Sequence, residues 1–381
     1  MRSKLFTFSA SLLLASTFFH ASFGQSKPGN TITTAVPFLR LAPDARASGM
    51  GDLGVATSPD AGSNFYNMGK VAFNTVSNGL AVSYSPWLRD LGIRNSYFFA
   101  LSGFHRLDEM QAVSVGIRYL KQGTFILTDD LGNTTNTFSP SDLAIDAGYS
   151  RKLSTKMGLG LSLRYIHSNL TDNSGDFKAG NAVSADLGFY YHGKKDLGQG
   201  WSFGGALTNL GSKISYSQNA TTKSFIPANL GLGTSYTTVW DLNNKLSFGL
   251  DINKLLVPTP PDQTNAAAVA KYNDKSVIGS WFSSFGDAPG GFNEEIKEFQ
   301  VGIGAEYTYS NDFTLRAGYF HEDASKGNRQ YATIGAGLHY KIAEANVSYL
   351  VPTGSNSTIS PLNNSFRLTL SFNLINTPKS K

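Results

Sequence analysis

Cysteine is absent from all 381 residues, which excludes disulfides, a cysteine-linked lipid anchor and thiolate metal sites. Past the N-terminus there is no run of about 18 apolar residues, so no transmembrane helix is expected. Charge is also sparse: Asp, Glu, Lys and Arg make up 15% of the chain, with a formal net charge of +5. No lysine or arginine cluster stands out, and nucleic acid is not an expected partner. Neither a G-x-S-x-G nor an HExxH pattern occurs around His105, His167, His192, His321 or His339. An enzyme, a metal site and a bound cofactor are therefore not expected. What the chain has in quantity is glycine, at 39 residues, and aromatics, at 12%.

The first residues read as a targeting segment. Arg2 and Lys4 precede the short apolar stretch Leu5–Phe19, and Ser22 and Gly24 suit a small-residue cleavage site before Gln25. Export without cysteines or membrane helices points to the bacterial outer membrane, where proteins cross as closed β-barrels.

Ser365–Leu374 shows how the wall is written. Phe366, Leu368, Leu370, Phe372 and Leu374 alternate with Arg367, Thr369, Ser371 and Asn373. Period two over ten residues gives one lipid-facing and one polar side, and ten tilted residues cross the hydrocarbon layer. Arginine at Leu368 or Leu250 should then be costly, and arginine at Thr369 better tolerated. Fourteen such segments are expected near 79–86, 95–105, 110–121, 142–152, 157–168, 181–192, 199–210, 226–237, 245–254, 298–309, 312–321, 330–342, 343–351 and 364–374. The fold class is all-β: an antiparallel transmembrane barrel of about fourteen strands. Connections after even-numbered strands are short and those after odd-numbered strands mostly long. That sorting places the short turns in the periplasm, the long loops outside, and both termini in the periplasm. Tyr97, Tyr119, Tyr165, Tyr319 and Tyr349 fall at the outer strand ends, and Tyr149, Tyr191, Tyr236, Tyr307 and Tyr340 at the inner ends, as two interfacial girdles.

Residues 25–78 do not alternate. They are rich in Gly, Ala and Asp, with Pro43 and Pro59 as breakers and Asp44 as a cap for a short helix over Ala45–Ala47. This stretch is expected to be a hatch in the periplasmic mouth, with Asp44 and Arg46 paired to inward charges such as Glu306 or Arg316. The inward face also carries Arg118, Asp142, Asp146, Arg164, Asp186, Asp251, His339, Lys341 and Arg367. Mixed signs there suit a polar lumen of internal ion pairs.

The longest outer loop, 255–297, begins VPTPPD, continues with a helix over NAAAVAKY capped by Asn265, and then carries Trp281, Phe282, Phe285 and Phe292. Glu294 and Glu295 after Asn293 suggest a further helix start. Large aromatics on a long loop suit a docking surface, with Phe125 and Phe138 on loop 122–141 as neighbours. The division expected is a signal peptide (1–24), a hatch (25–78), the barrel (79–374) and a periplasmic tail (375–381).

Three stretches, Phe38–Asp60, Asp251–Asp262 and Tyr349–Leu374, resemble the PorV family of the type IX secretion system, whose barrels are FadL-like. The resemblance implies a non-enzymatic shuttle in contact with outer-membrane lipid. Such a shuttle binds the C-terminal signal domain of secreted cargo leaving a large translocon barrel of the SprA/Sov type. It then escorts the cargo to an attachment complex with a PorU-like sortase. The alternative is a FadL-like channel for uptake of hydrophobic small molecules, which would call for an apolar lumen beside the hatch.

Overall fold

β1 (Asn78–Pro86) pairs antiparallel with the last strand, β16 (Phe366–Leu374), from Asn78 opposite Leu374 to Tyr84 opposite Leu368, and this seam closes the wall. The structure is a computed structural model. It describes residues 30–88, 92–129, 131–171, 175–219, 222–354 and 365–374. The expected signal peptide and C-terminal tail lie outside these residues. Between the seam strands run β2 (Ser96–Arg106), β3 (Gln111–Gln122), β6 (Ser141–Lys152), β7 (Met157–Asn169), β8 (Gly180–His192) and β9 (Gly200–Gly211). They continue with β10 (Asn229–Val239), β11 (Asn244–Leu255), β12 (Phe299–Tyr309), β13 (Phe313–His321), β14 (Gln330–Tyr340) and β15 (Ala343–Pro352). Every neighbour in the closed barrel of fourteen strands is antiparallel, so each expected segment is a wall strand. The remaining pair, β4 (Phe125–Thr128) and β5 (Thr134–Phe138), forms a separate hairpin in the β3–β6 connection. From sequence alone, residues 122–141 are expected to be loop, and the hairpin is a finding of the structure.

The alternation faces as its chemistry requires. On β16 Arg367, Thr369 and Ser371 are buried inward while Phe366, Leu370 and Phe372 are exposed outward. Aromatic rings gather at both rims. Tyr97 lies 5.8 Å from Tyr84 and 6.0 Å from Tyr119 at the long-loop rim. Trp201 lies 4.8 Å from Tyr236, and Trp240 6.4 Å from Tyr307, at the short-turn rim. Two local expectations are corrected. β10 begins at Asn229 rather than 226, because Pro227 has no N–H for the ladder. β14 ends at Tyr340, and Lys341 sits exposed at φ 57° in the two-residue turn to Ala343, so it is not a lumen charge.

Residues 30–77 occupy the lumen, and they run its depth instead of staying at the short-turn mouth as expected. Ile32 packs with Phe225, Leu255 and Val257 at the long-loop end. A 3-10 turn (Pro37–Arg40), the helical turn α1 (Ala45–Ser48) and further 3-10 turns at Ser63–Phe65 and Met68–Phe73 then lead to β1 at the opposite rim. Ile32, near the first of the described residues, therefore lies at the rim opposite Leu374. Glycine on the wall makes room for this chain. A Cβ on Gly318 would stand 2.2 Å from the Met50 carbonyl carbon, and one on Gly160 2.5 Å from the Met68 carbonyl. The high glycine content is thus partly a record of backbone pressed against strand.

Candidate functional site

Within the lumen the charges form a continuous set of partners. Arg46 donates to Glu306 Oε1 at 2.9 Å and to Asp60 Oδ2 at 2.7 Å, and Arg316 Nε donates to the same Glu306 at 2.6 Å. Arg316 also donates to Asn346 at 2.6 Å. The structure thus brings Arg46, Glu306 and Arg316 together. Asp44 does not join them: its carboxylate caps α1 through the Ala47 N–H at 2.9 Å and accepts the Tyr66 hydroxyl at 2.7 Å. Each of its two oxygens is thus engaged by a donor of the segment itself. Asp251 accepts the Gly54 and Val55 N–H groups at 2.7 and 2.9 Å, and Arg367 donates to Ser48. Further round the wall Arg118 meets Asp146 at 3.4 Å, and Arg164 bridges Asp146 and Asp186. Removing one member of such a buried pair costs about 3–5 kcal/mol, since the partner charge is left uncompensated.

Toward the long-loop end the lumen is apolar, but it is filled. Val36, Phe38 and Leu39 pack with Trp87, Phe98, Leu120, Ile166, Ile214, Phe320 and Leu350, all buried. Beneath that layer a cavity of about 110 Å³ is lined by Leu41, Phe65, Arg118, Asn209, Asp251 and Arg329 among others. A larger polar cavity of about 240 Å³ lies near the short turns, between Arg46, Asp60, Glu306, Glu344 and Ser371. The inward polar face is likewise not a wet surface: Thr369 Oγ1 accepts the Ala45 N–H at 2.8 Å and is buried. Arginine at Thr369 would have to displace that contact, which weighs against its being tolerated better than arginine at Leu368.

On the long-loop side, residues 256–298 carry helices α2 (Ala266–Asp274), α3 (Val277–Ser283) and α4 (Phe292–Glu295). Asn265 caps the first and Ser276 the second, each accepting a backbone N–H. Gly291, with no side chain to cap, precedes the third. Phe282 and Phe292 are 76% and 78% exposed, and Phe285 is exposed as well; Trp281 is partly buried. The loop is held from beneath. Buried Lys254 pairs with Glu295 and Glu298 at 2.7 Å each, and Lys326 reaches Glu298 at 3.0 Å and Glu294 at 2.6 Å. Thr259 also donates to Glu298, at 2.8 Å. Although partial burial pushes the Glu294 carboxyl up, the hydrogen bonds from Lys326 and the Gly290 N–H hold it below the usual carboxylate range.

The carboxylates of Asp287, Glu295 and Glu298 come within 4.8 Å of one another. They are already neutralised by Lys254, Lys275 and Lys326, so the cluster is a set of salt bridges. Sequence reasoning missed these lysines because the pairs join the end of β11, the long loop and the β13–β14 connection. Lys254 also sits out of phase with the inward Asp251 and Asn253. Phe125 and Phe138 face each other across the β4–β5 hairpin. Among the described residues no hydrogen bond or ion pair ties them to the long loop.

These features define a class: a fourteen-stranded antiparallel barrel of the outer-membrane, FadL-like kind whose lumen is occupied by its own N-terminal residues. Solved structures share the fold. The P. putida toluene transporter TodX is 12% identical, with a TM-score of 0.52 over 88% of this chain and 99% of that one. The CymD monoaromatic hydrocarbon channel is 12% identical, with a TM-score of 0.52 over 90% and 99%. No curated protein matches the chain in sequence. Residues 24–262 match the family described as Type IX secretion system protein PorV, and the chain belongs to that family. It is an outer-membrane component of type IX secretion.

Proposed function

We propose that this barrel binds the C-terminal signal domain of secreted cargo as it leaves the translocon barrel and escorts it to the attachment complex with its sortase. The long loops face the cell exterior in this reading, and Phe282, Phe285 and Phe292 form the docking surface, flanked by Phe125 and Phe138. The observation that carries it is the pairing of a filled lumen with a loop that keeps large aromatics in water while its base is fixed by Lys254 and Lys326. Exposed aromatics on a preorganised loop lose little entropy on binding, which suits interface anchors. A folded domain is also far too large for a lumen of this strand number.

Uptake of hydrophobic molecules is the weaker reading: the fold is shared with hydrocarbon channels, but the apolar stretch here is packed with side chains. Affinity purification of the tagged barrel from native membranes separates the two. Secreted proteins and a large translocon barrel in the eluate support the shuttle. A bound lipid with no protein partner contradicts it.

A further inference from the structure

Among the described residues, β4 and β5 pair with each other and with no other strand. A lone two-stranded hairpin is marginal in water, and each outer edge leaves alternate N–H and C=O groups without a strand neighbour. The two edges differ. On β5 the Thr137 N–H is taken by the Asn136 side chain at 2.8 Å. The register there steps from Leu127–Asn136 to Thr128–Thr134, which puts Thr135 out of the ladder. A bulge and a side-chain cap are recognised ways of blunting an edge.

The β4 edge has no such protection. Thr137 pairs with Ile126, and its N–H points away from β4, so this pair is a non-hydrogen-bonded one. By the same geometry the N–H and C=O of Ile126 point outward from the β4 edge. No Lys, Arg or Pro occurs from Gly123 to Asn133, and Phe125, Ile126 and Leu127 are all exposed. Beside the tip, Asp129 accepts the N–H groups of Leu131 and Asn133 and the Asn133 side chain. Asp129 and its neighbour Asp130 are the only charges between Gly123 and Pro140.

We propose that the β4 edge, Phe125–Thr128, accepts an extended strand from a partner protein, completing a three-stranded sheet through main-chain bonds to Ile126. Resting on the reading of the long-loop end as the cargo-facing surface, the incoming strand is an edge strand of the cargo's C-terminal domain. Its pattern alternates apolar and polar residues, with the apolar ones on the face of Phe125 and Leu127, and it carries Lys or Arg where it passes the acidic tip. Backbone pairing supplies affinity with little demand on sequence.

The test uses the full-length barrel in detergent and the isolated C-terminal domain of a secreted protein from the same organism. Ile126→Pro removes the edge donor and should weaken binding at least tenfold. Ile126→Lys, the usual edge protector, leaves the hairpin's own ladder intact and should also weaken it. Thr137→Pro alters the blunted edge and should bind like wild type. Ile126→Cys in this cysteine-free chain should cross-link to single cysteines at alternate positions of one strand of the domain. Wild-type affinity in both Ile126 variants overturns the inference while leaving the shuttle reading intact, as does equal loss from Thr137→Pro. Cross-linking of one barrel to a second in place of the domain overturns the assigned occupant. No binding by the wild-type barrel overturns both the inference and the reading beneath it.

Discussion

Inside the lumen, Phe38, Met50, Leu53 and Met68 are all buried, whereas on the long loop Phe282 and Phe292 stand 76% and 78% exposed. Both stretches are irregular chain, and both are fixed by ion pairs of low exposure: Arg46 with Glu306 in the first, Lys254 with Glu295 and Glu298 in the second. What differs is where the large side chains go once the backbone is fixed. The lumen segment spends its apolar surface on the wall, so its charges serve position. The loop is positioned by charges at its base and leaves its apolar surface for something else to cover. A soluble domain rarely keeps such a patch without a partner.

The strongest way to break this contrast is to unseat the lumen segment. Glu306→Ala leaves Arg46 and Arg316 facing each other without their shared carboxylate, and should destabilise the barrel by about 3–5 kcal/mol. Loss of heat-resistant barrel on gels reads this directly; an unchanged transition would mean the segment is not held by that pair. Leu368→Arg places a cation in lipid at a cost of roughly 2–4 kcal/mol. Thr369→Arg should be about as harmful for a different reason, since overpacking against Ala45 costs typically about 1–3 kcal/mol beyond the lost hydrogen bond. If the same gel assay shows Thr369→Arg unaffected, the lumen is looser than the contacts at Thr369 imply.

On the loop side the effects should fall on binding and not on folding. Phe282→Ala with Phe292→Ala should weaken cargo capture by about 2 kcal/mol or more, as for anchor residues. Exposed substitutions of this kind normally shift stability by no more than about 0.5 kcal/mol. The smallest expected effect is a pH dependence of the loop base. Glu294 has its carboxyl held below its ordinary value of 4.5 in the folded state, so it contributes stability above that value and loses it as pH falls through the folded one. Proteolytic nicking within 256–298 should therefore rise below about pH 4 while the wall stays resistant, and Glu294→Gln should remove most of that pH dependence.

Strand chemistry was readable because a lipid-facing and a lumen-facing position must alternate without exception, and Arg367, Asp251 and Glu306 declare their side by charge alone. The pairing of Arg46 with an inward carboxylate could be anticipated for the same reason. The direction of residues 30–41 could not, because it depends on which rim offers an apolar ring for Val36 and Phe38. Trp281 is indistinguishable from Phe282 in sequence, and only the packing of α3 separates a half-buried ring from an exposed one. The pins Lys254, Glu298 and Lys326 come from the end of β11, the long loop and the β13–β14 connection, and their pairing leaves no local pattern to read. The β4–β5 hairpin escaped notice because its second strand, TTNTF, carries no alternation to read.

One binding measurement bears on the central claim most directly: equilibrium affinity of a cargo C-terminal domain for the intact barrel and for a barrel with Asn265–Phe292 replaced by a short Gly–Ser linker. The linker keeps Lys254, Glu295 and Glu298, so the trimmed barrel should retain its heat resistance. Its affinity should fall by a factor of roughly 30 or more, which corresponds to about 2 kcal/mol. Equal affinity in the two barrels, with both folded, would contradict the assignment of the long loop as the cargo-binding surface.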